Sequence, residues 1–137
     1  SFEETHYNLA LAYFKMGNFT DAIKEFKKTI DIGIYLREVN FAQPRLLIQS
    51  LNKLAESYFL AGICDEAIKT FIELLKVDVA SAADSHYNIG LCYERLGNYA
   101  LAMQEFQNVL RLKPEDEGAL WNLKELQMKQ RGRLRKP

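Results

Sequence analysis

The chain has 137 residues, of which 48% are hydrophobic, 26% charged and 12% aromatic, a composition typical of a folded protein with one core. The 18 basic and 18 acidic residues balance, but residues 129–137 contain five of the basic residues and no acid. The rest is therefore net acidic, which argues against nucleic-acid binding through phosphate contacts. No apolar run approaches the ~18 residues of a membrane span. The sequence does not begin with Met, and we expect it to be part of a longer chain.

The two cysteines, Cys64 and Cys92, have neither the spacing of a zinc site nor the number expected of a disulfide framework. Reduced thiols are the simplest interpretation. They favour a cytoplasmic location and predict no metal or other cofactor.

One pattern of five residues occurs three times along the chain. The three copies are Leu9, Tyr13, Gly17, Ala22 and Phe26; Leu54, Tyr58, Gly62, Ala67 and Phe71; and Ile89, Tyr93, Gly97, Ala102 and Phe106. Such agreement in five columns indicates an internal repeat.

Each copy predicts a helical hairpin. Leu9 and Tyr13 lie four residues apart on one face of a first helix, and Gly17 ends that helix, since glycine adopts a left-handed conformation readily. Ala22 and Phe26 then lie on the apolar stripe of a second helix. The small alanine allows the two helices to cross closely, and the phenylalanine fills the space beyond the crossing.

The interval between the first two copies is longer than the next one. Gly17 and Gly62 are 45 residues apart, whereas Gly62 and Gly97 are 35 apart, so about 11 residues exceed the usual ~34-residue period. The extra stretch, residues 31–47, is rich in Ile, Leu, Val, Tyr and Phe rather than in loop residues, and we predict two lengthened helices joined around Asn40–Pro44. Two interpretations stay open: a longer hairpin that packs on itself, or a protruding hairpin that contacts a partner.

These columns, with Pro114 closing the third copy, resemble the tetratricopeptide repeat (TPR) family over residues 4–114. The resemblance implies an all-α fold, a right-handed superhelical solenoid of three helix pairs whose first helices line a concave groove. The units would span about residues 4–36, 45–80 and 82–114. We predict a capping helix at about 116–130, which completes a single domain over residues 1–130, and a flexible basic tail at 131–137.

The sequence offers little for catalysis. His6 and His86 occupy equivalent places in units one and three, where first helices would hold them about 20 Å apart, too far to share a metal ion. None of the common catalytic motifs is present. We predict a protein that is not an enzyme and has no small-molecule substrate.

The predicted function is that of an adaptor or scaffold that binds a peptide segment of another protein in the groove. Asn8, Asn88 and Asn122 share one column of the repeat, and amides can bond an extended backbone. Tyr7, Tyr87 and Trp121 share the next column. The predicted groove residues are Tyr7, Asn8, Leu11, Lys15, Asn52, Lys53, Glu56, Asp84, Tyr87, Asn88, Leu91, Arg95, Trp121 and Asn122.

Some members of this family clamp an acidic chain end with paired Lys and Asn, but Tyr7, Leu11 and Asp84 stand at the positions that such a clamp would need. The groove is also mixed or mildly acidic, through Glu4, Glu56, Asp84 and Glu94. The ligand expected for this groove is therefore a neutral or basic segment with apolar anchors. The alternative function is structural, with a homo-oligomer formed through the 31–47 hairpin or an open repeat end. A weaker idea assigns the basic tail to nucleic-acid or membrane contact, although most such tails are solvated.

Overall fold

The computed structural model describes residues 1–38 and 44–135, and in this part of the chain every regular element is helical, which confirms the all-α prediction. The helices are α1 (Phe2–Lys15), α2 (Phe19–Glu38), α3 (Pro44–Leu60), α4 (Cys64–Val77), α5 (Ala82–Arg95), α6 (Tyr99–Leu112) and α7 (Glu117–Arg135), with a 3-10 turn at Val79–Ser81.

The chain divides into two compact units, unit 1 at Ser1–Val77 and unit 2 at Asp78–Pro137. In unit 1, α1 packs on α2, α2 on α3 and α3 on α4. In unit 2, α5 packs on α6 and α6 on α7. The superhelical stacking of three pairs in a single domain stays a prediction.

Glycine ends the first helix of each hairpin, as predicted. Gly17, Gly62 and Gly97 have φ angles of 77°, 80° and 78°. The N–H of Gly17 donates to the carbonyl of Phe14 at 3.0 Å, and the N–H of Asn18 donates to Tyr13 at 2.9 Å. These two hydrogen bonds pair backbone carbonyl groups at the end of the helix that have no partner within the helix. The same pattern recurs after Gly62 and Gly97.

The crossing of each helix pair is built from the predicted alanine and phenylalanine columns. Ala22, Ala67 and Ala102 are completely buried, and the three phenylalanines of the next column are at most 1% exposed. In unit 2 the helices approach so closely that a Cβ atom on Gly90 would lie 2.9 Å from the ring of Phe106. These columns confirm the hairpin predicted from the spacing.

The two helices around the long interval are longer than the other four helices of the three hairpins. Helix α2 has 20 residues and α3 has 17, whereas α1, α4, α5 and α6 have 14 each. Pro44 is the first residue of α3, a position where the missing N–H of proline removes no helical bond. Most of the predicted junction at Asn40–Pro44 lies outside the described residues.

Two expectations differ from the structure. The Leu9 column was expected to be buried, but Leu9 is 41% exposed while Leu54 and Ile89 are buried. Leu54 lines a groove with Ile30 of the neighbouring helix α2. At the other end, α7 continues to Arg135, through most of the segment expected to be a flexible tail; residues 136–137 lie outside the described residues.

Candidate peptide-binding surface

The predicted groove residues divide equally between the two units. Unit 1 carries its share on α1 and α3, and unit 2 carries its share on α5 and α7. We therefore describe a Tyr7 surface (Tyr7, Asn8, Leu11, Lys15, Asn52, Lys53 and Glu56) and a Tyr87 surface (Asp84, Tyr87, Asn88, Leu91, Arg95, Trp121 and Asn122).

The Tyr7 ring is anchored on the hairpin core. It meets Phe26 edge-on, with ring centroids 5.9 Å apart and planes at 61°, the geometry that aromatic pairs favour. Burial raises the pKa of the Tyr7 hydroxyl above its usual value; Lys53 partly offsets this rise and Glu56 adds to it. Lys53 and Glu56, which both lie on the neighbouring helix α3, thus change the pKa of Tyr7 in opposite directions.

Lys53 is the most engaged polar residue of this surface. Its Nζ donates to Glu56 at 3.0 Å and lies 4.7 Å from the centre of the Phe14 ring, within the range of a cation–π contact. Phe14 was missed as a site residue, although it follows Tyr7 by two helical turns and therefore shares its face.

Open positions flank this anchored cluster. Asn8 and Lys15 are exposed, while Leu11 and Asn52 are half-buried. The Asn8 amide is therefore accessible from solvent, as a contact to a bound backbone would require.

The Tyr87 surface repeats the aromatic anchor. Tyr87 meets Phe106 edge-on at 5.5 Å and 63°, in close agreement with the Tyr7–Phe26 pair that lies 80 residues earlier. The Tyr87 hydroxyl also accepts a hydrogen bond of 2.9 Å from Nδ2 of Asn122. A Cβ atom on Gly118 would lie 3.2 Å from that hydroxyl, so the glycine allows α7 to approach the ring.

The hydrogen bond made by Asn122 distinguishes it from Asn8 and Asn88, the other two asparagines predicted to contact a ligand. One N–H of its amide is used between α5 and α7, which fixes the orientation of the group, so Asn8 and the half-buried Asn88 are the better candidates for contact with a ligand. Trp121 is 66% exposed and lies outside the core of its unit. Asp84 and Arg95 are exposed, and Leu91 is half-buried.

Both histidines bind a glutamate of the following helix, a role that the sequence analysis missed. Nδ1 of His6 lies 2.7 Å from Oε2 of Glu25, and Nδ1 of His86 lies 2.6 Å from Oε2 of Glu105. Burial acts to raise the pKa of Glu25, but hydrogen bonds from His6 and Lys28 outweigh it and lower the pKa below its usual value. The equal separation of 19 residues in both repeats was an available signal.

Comparison with known proteins gives the family. Two Tetratricopeptide repeat models match residues 3–32 and 52–117, together more than half of the chain. The chain belongs to the tetratricopeptide repeat family.

Among its relatives is human Tetratricopeptide repeat protein 16, which is 31% identical over 109 residues. That match covers 78% of this chain and 12% of the relative, so the chain corresponds to a small part of the relative's length.

Solved structures show the same fold. The first TPR of Spaghetti (RPAP3), bound to the HSP90 peptide SRMEEVD, has a TM-score of 0.72 at 20% identity and covers 93% of this chain and 91% of its own. The N-terminal domain of STI-1 from C. elegans has a TM-score of 0.74 at 20% identity, and the match covers 91% of this chain and 94% of that domain.

Within the described residues, no helix has the length and apolar character needed to cross a bilayer.

Proposed function

We propose that the chain is a protein–protein interaction module that binds an extended peptide segment of a partner on its first helices. The observation that carries this proposal is the same pair of side chains in both units. A tyrosine ring is held edge-on by a buried phenylalanine, and the next residue, Asn8 or Asn88, presents an amide that solvent reaches.

The two groups suit the two parts of a peptide. A half-buried tyrosine gives apolar contact area with little loss of side-chain freedom on binding, which is why aromatic residues are frequent at binding hot spots. An amide both donates and accepts, so it can pair with the N–H and C=O groups of an extended backbone. The Spaghetti domain, which shares the fold, is bound to a peptide, and this supports a peptide as the ligand class.

The charges favour a neutral or basic segment. Lys53 is already paired with Glu56, which reduces the positive charge that the Tyr7 surface can offer to an acidic ligand. Asp84 is exposed on the Tyr87 surface, and a carboxylate there repels an acidic chain end. The acidic peptide SRMEEVD is therefore a useful negative probe.

The experiment is affinity capture with the intact chain and with the double variant Asn8→Ala/Asn88→Ala, read by mass spectrometry. Partners captured by the intact chain should be lost from the variant, while circular dichroism stays unchanged. Gln104→Ala/Gln107→Ala is the matched control, since it removes two exposed amides from α6. Undiminished capture by the asparagine variant would count against the proposed surface.

A second measurement tests the charge preference directly. We expect no measurable binding of SRMEEVD to the intact chain and a gain in binding with Asp84→Lys. Binding of the peptide to the intact chain that Asp84→Lys weakens would contradict the proposal.

A further inference from the structure

A groove runs along α3 between α2 and α4 in unit 1. Its two parts have volumes of about 210 and 350 Å³. The α3 side chains that form its floor recur every three or four residues and are Pro44, Leu47, Ile48, Leu51 and Leu54. This spacing places them on one face of the helix, so the two parts are in line. From Pro44 to Leu54 this surface, here called the α3 groove, is about 15 Å long.

The two walls of the α3 groove carry charges in the same order. In chain order, the charged wall residues are Lys27, Asp31 and Arg37 on α2 and Lys69, Glu73 and Lys76 on α4. The first two residues of each wall line the part above Leu51 and Leu54, and the third lines the part at Pro44. Both walls are therefore basic, then acidic, then basic along the same direction.

This agreement between the walls does not follow from the repeat. Counted from the alanine column, the repeat counterpart of Lys27 is Ile72, not Lys69. The counterpart of Asp31 is Lys76, which has the opposite charge. Residues of different repeat columns thus bring like charges to the same part of the groove.

The wall charges are accessible to a ligand. The three charged residues of the α2 wall are exposed. On α4, Lys69 pairs with Glu66 at 3.4 Å and Lys76 pairs with Glu73 at 3.2 Å, and all four side chains are at least 47% exposed. Exposed pairs of this kind contribute little to stability, so they can be exchanged for contacts with a bound segment at small cost.

The lengthening of α2 extends the groove. A helix α2 with the 14 residues of α4 or α6 would end before Ile34 and Arg37. Ile34 is 47% exposed and lies between Asp31 and Arg37 on the same face of α2. The longer helix therefore adds an apolar side chain and a second basic residue to this wall.

The shape and the charges define the segment that fits. An apolar floor of about three turns between two helices suits a third helix with apolar residues at i, i+3 or i+4, i+7 and i+11. Acidic, basic and acidic residues in that order along the flanks of this helix meet opposite charges on both walls. Among the described residues the groove is lined by four basic and two acidic side chains, so a net acidic helix fits best.

We propose that the α3 groove binds an amphipathic helix of a partner protein, with its apolar face on α3 and acidic, basic and acidic residues along its flanks. The proposal does not rest on peptide binding by the Tyr7 or Tyr87 surface, because the groove shares no residue with either of them.

The first experiment uses two synthetic peptides of about 18 residues, long enough for a helix that spans the groove. Both have the same leucine face; one has acidic, basic and acidic flanks, and in the other every charge is reversed. Isothermal titration calorimetry with the full chain should show that the first peptide binds and that the charge-reversed peptide binds at least about tenfold more weakly. The difference should decrease at high salt.

The second experiment changes the groove. Lys27→Glu/Arg37→Glu reverses the charge at both ends of the α2 wall, on exposed residues, so circular dichroism should be unchanged. This variant should bind the first peptide about tenfold more weakly and the charge-reversed peptide more tightly.

Two control variants accompany this measurement. Lys113→Glu/Lys124→Glu makes the same change of charge on two exposed lysines of unit 2 and should leave both affinities unchanged. Asn8→Ala/Asn88→Ala should also leave them unchanged, and this result separates the α3 groove from the proposed peptide-binding surfaces.

The third experiment locates the peptide and tests its conformation. A photoreactive benzophenone side chain at the centre of the leucine face should cross-link to Ile48, Leu51 or Leu54, as identified by mass spectrometry. A proline at the centre of the first peptide should abolish binding, because it breaks a helix.

Five outcomes would overturn the proposal. They are no binding of either peptide, equal affinity for the two peptides, undiminished binding of the first peptide by Lys27→Glu/Arg37→Glu, cross-links outside α2, α3 and α4, and full affinity of the proline peptide. The last of these would show that the groove binds an extended segment instead of a helix.

Discussion

The Tyr7 and Tyr87 surfaces share the same local structure, but a different residue reaches each tyrosine region from the neighbouring helix, α3 in unit 1 and α7 in unit 2. In both, a tyrosine meets a buried phenylalanine edge-on, and the preceding histidine bonds a glutamate of the following helix. Above Tyr87, α7 supplies Asn122, which bonds the hydroxyl. In unit 1 the corresponding repeat position is Lys53, which pairs with Glu56 and lies over Phe14.

This comparison separates what one hairpin determines from what its neighbour determines. The ring and the His–Glu bond depend on two helices of one hairpin, so they occur in both α1/α2 and α5/α6. They are not found in α3/α4, where Leu51, Asn52 and Thr70 occupy the positions of His6, Tyr7 and Glu25. The polar environment of the ring depends on another helix and changes with it. Differences in ligand preference between the two surfaces are therefore expected to arise from positions such as Lys53 and Asn122.

The largest expected effect on stability comes from removing Glu25, which forms the His–Glu bond of unit 1. We expect Glu25→Ala to reduce the free energy of unfolding by about 2 kcal/mol at pH 7, because the carboxylate is buried and hydrogen-bonded to His6 and Lys28. Its pKa is lowered on folding. The contribution is therefore present above the unfolded value of about 4.3 and is lost as the pH falls through the folded value.

Urea unfolding at pH 7 and at pH 3 measures this effect. The difference between Glu25→Ala and the intact chain should shrink at the lower pH. Glu73→Ala removes a mostly exposed carboxylate that is paired with Lys76, and it should change the stability by less than about 0.5 kcal/mol. An equal loss in the two variants would show that the buried bond is unimportant.

Sequence reasoning predicted what lies within a hairpin better than what lies between helices. Gly17, Ala22 and Phe26 were placed correctly, because turn chemistry and helical periodicity act over a few residues. The contacts of Lys53 with Phe14 and of Asn122 with Tyr87 depend on how separate helices cross, which the spacing does not define.

A second prediction concerns Glu3, whose counterpart 80 residues later is Ala83. Glu3 is 1% exposed, and its Oε1 has no hydrogen-bond partner among the described residues. Burial raises the pKa of Glu3 above its usual value, and Glu4 adds to the rise. Ionisation therefore destabilises the folded chain, and the stability associated with this group is lost as the pH rises through its folded pKa.

We expect Glu3→Gln to increase the free energy of unfolding by about 1 kcal/mol at pH 7. The gain should disappear below about pH 4, where the carboxyl group is protonated and resembles the amide. Chemical denaturation across this pH range measures it. Glu4→Gln is a poor substitute because Glu4 belongs to the capping box of α1, so Glu66→Gln on α4 is the control. A Glu3→Gln gain that is independent of pH would contradict the assignment.

A third prediction tests the difference between the two tyrosines. Tyr87→Phe keeps the ring on Phe106 and removes the hydroxyl that accepts from Asn122, so it should reduce the free energy of unfolding by about 1 kcal/mol. Asn122→Ala should lose a similar amount, and the double variant should lose little more, because both changes remove one bond. Tyr7→Phe is the matched control, since its ring packs on Phe26 while Lys53 occupies the position of Asn122. If the Tyr7 and Tyr87 variants lose equal stability, the hydroxyl bond does not distinguish the surfaces, and their differences must come from the charges of Lys53 and Glu56.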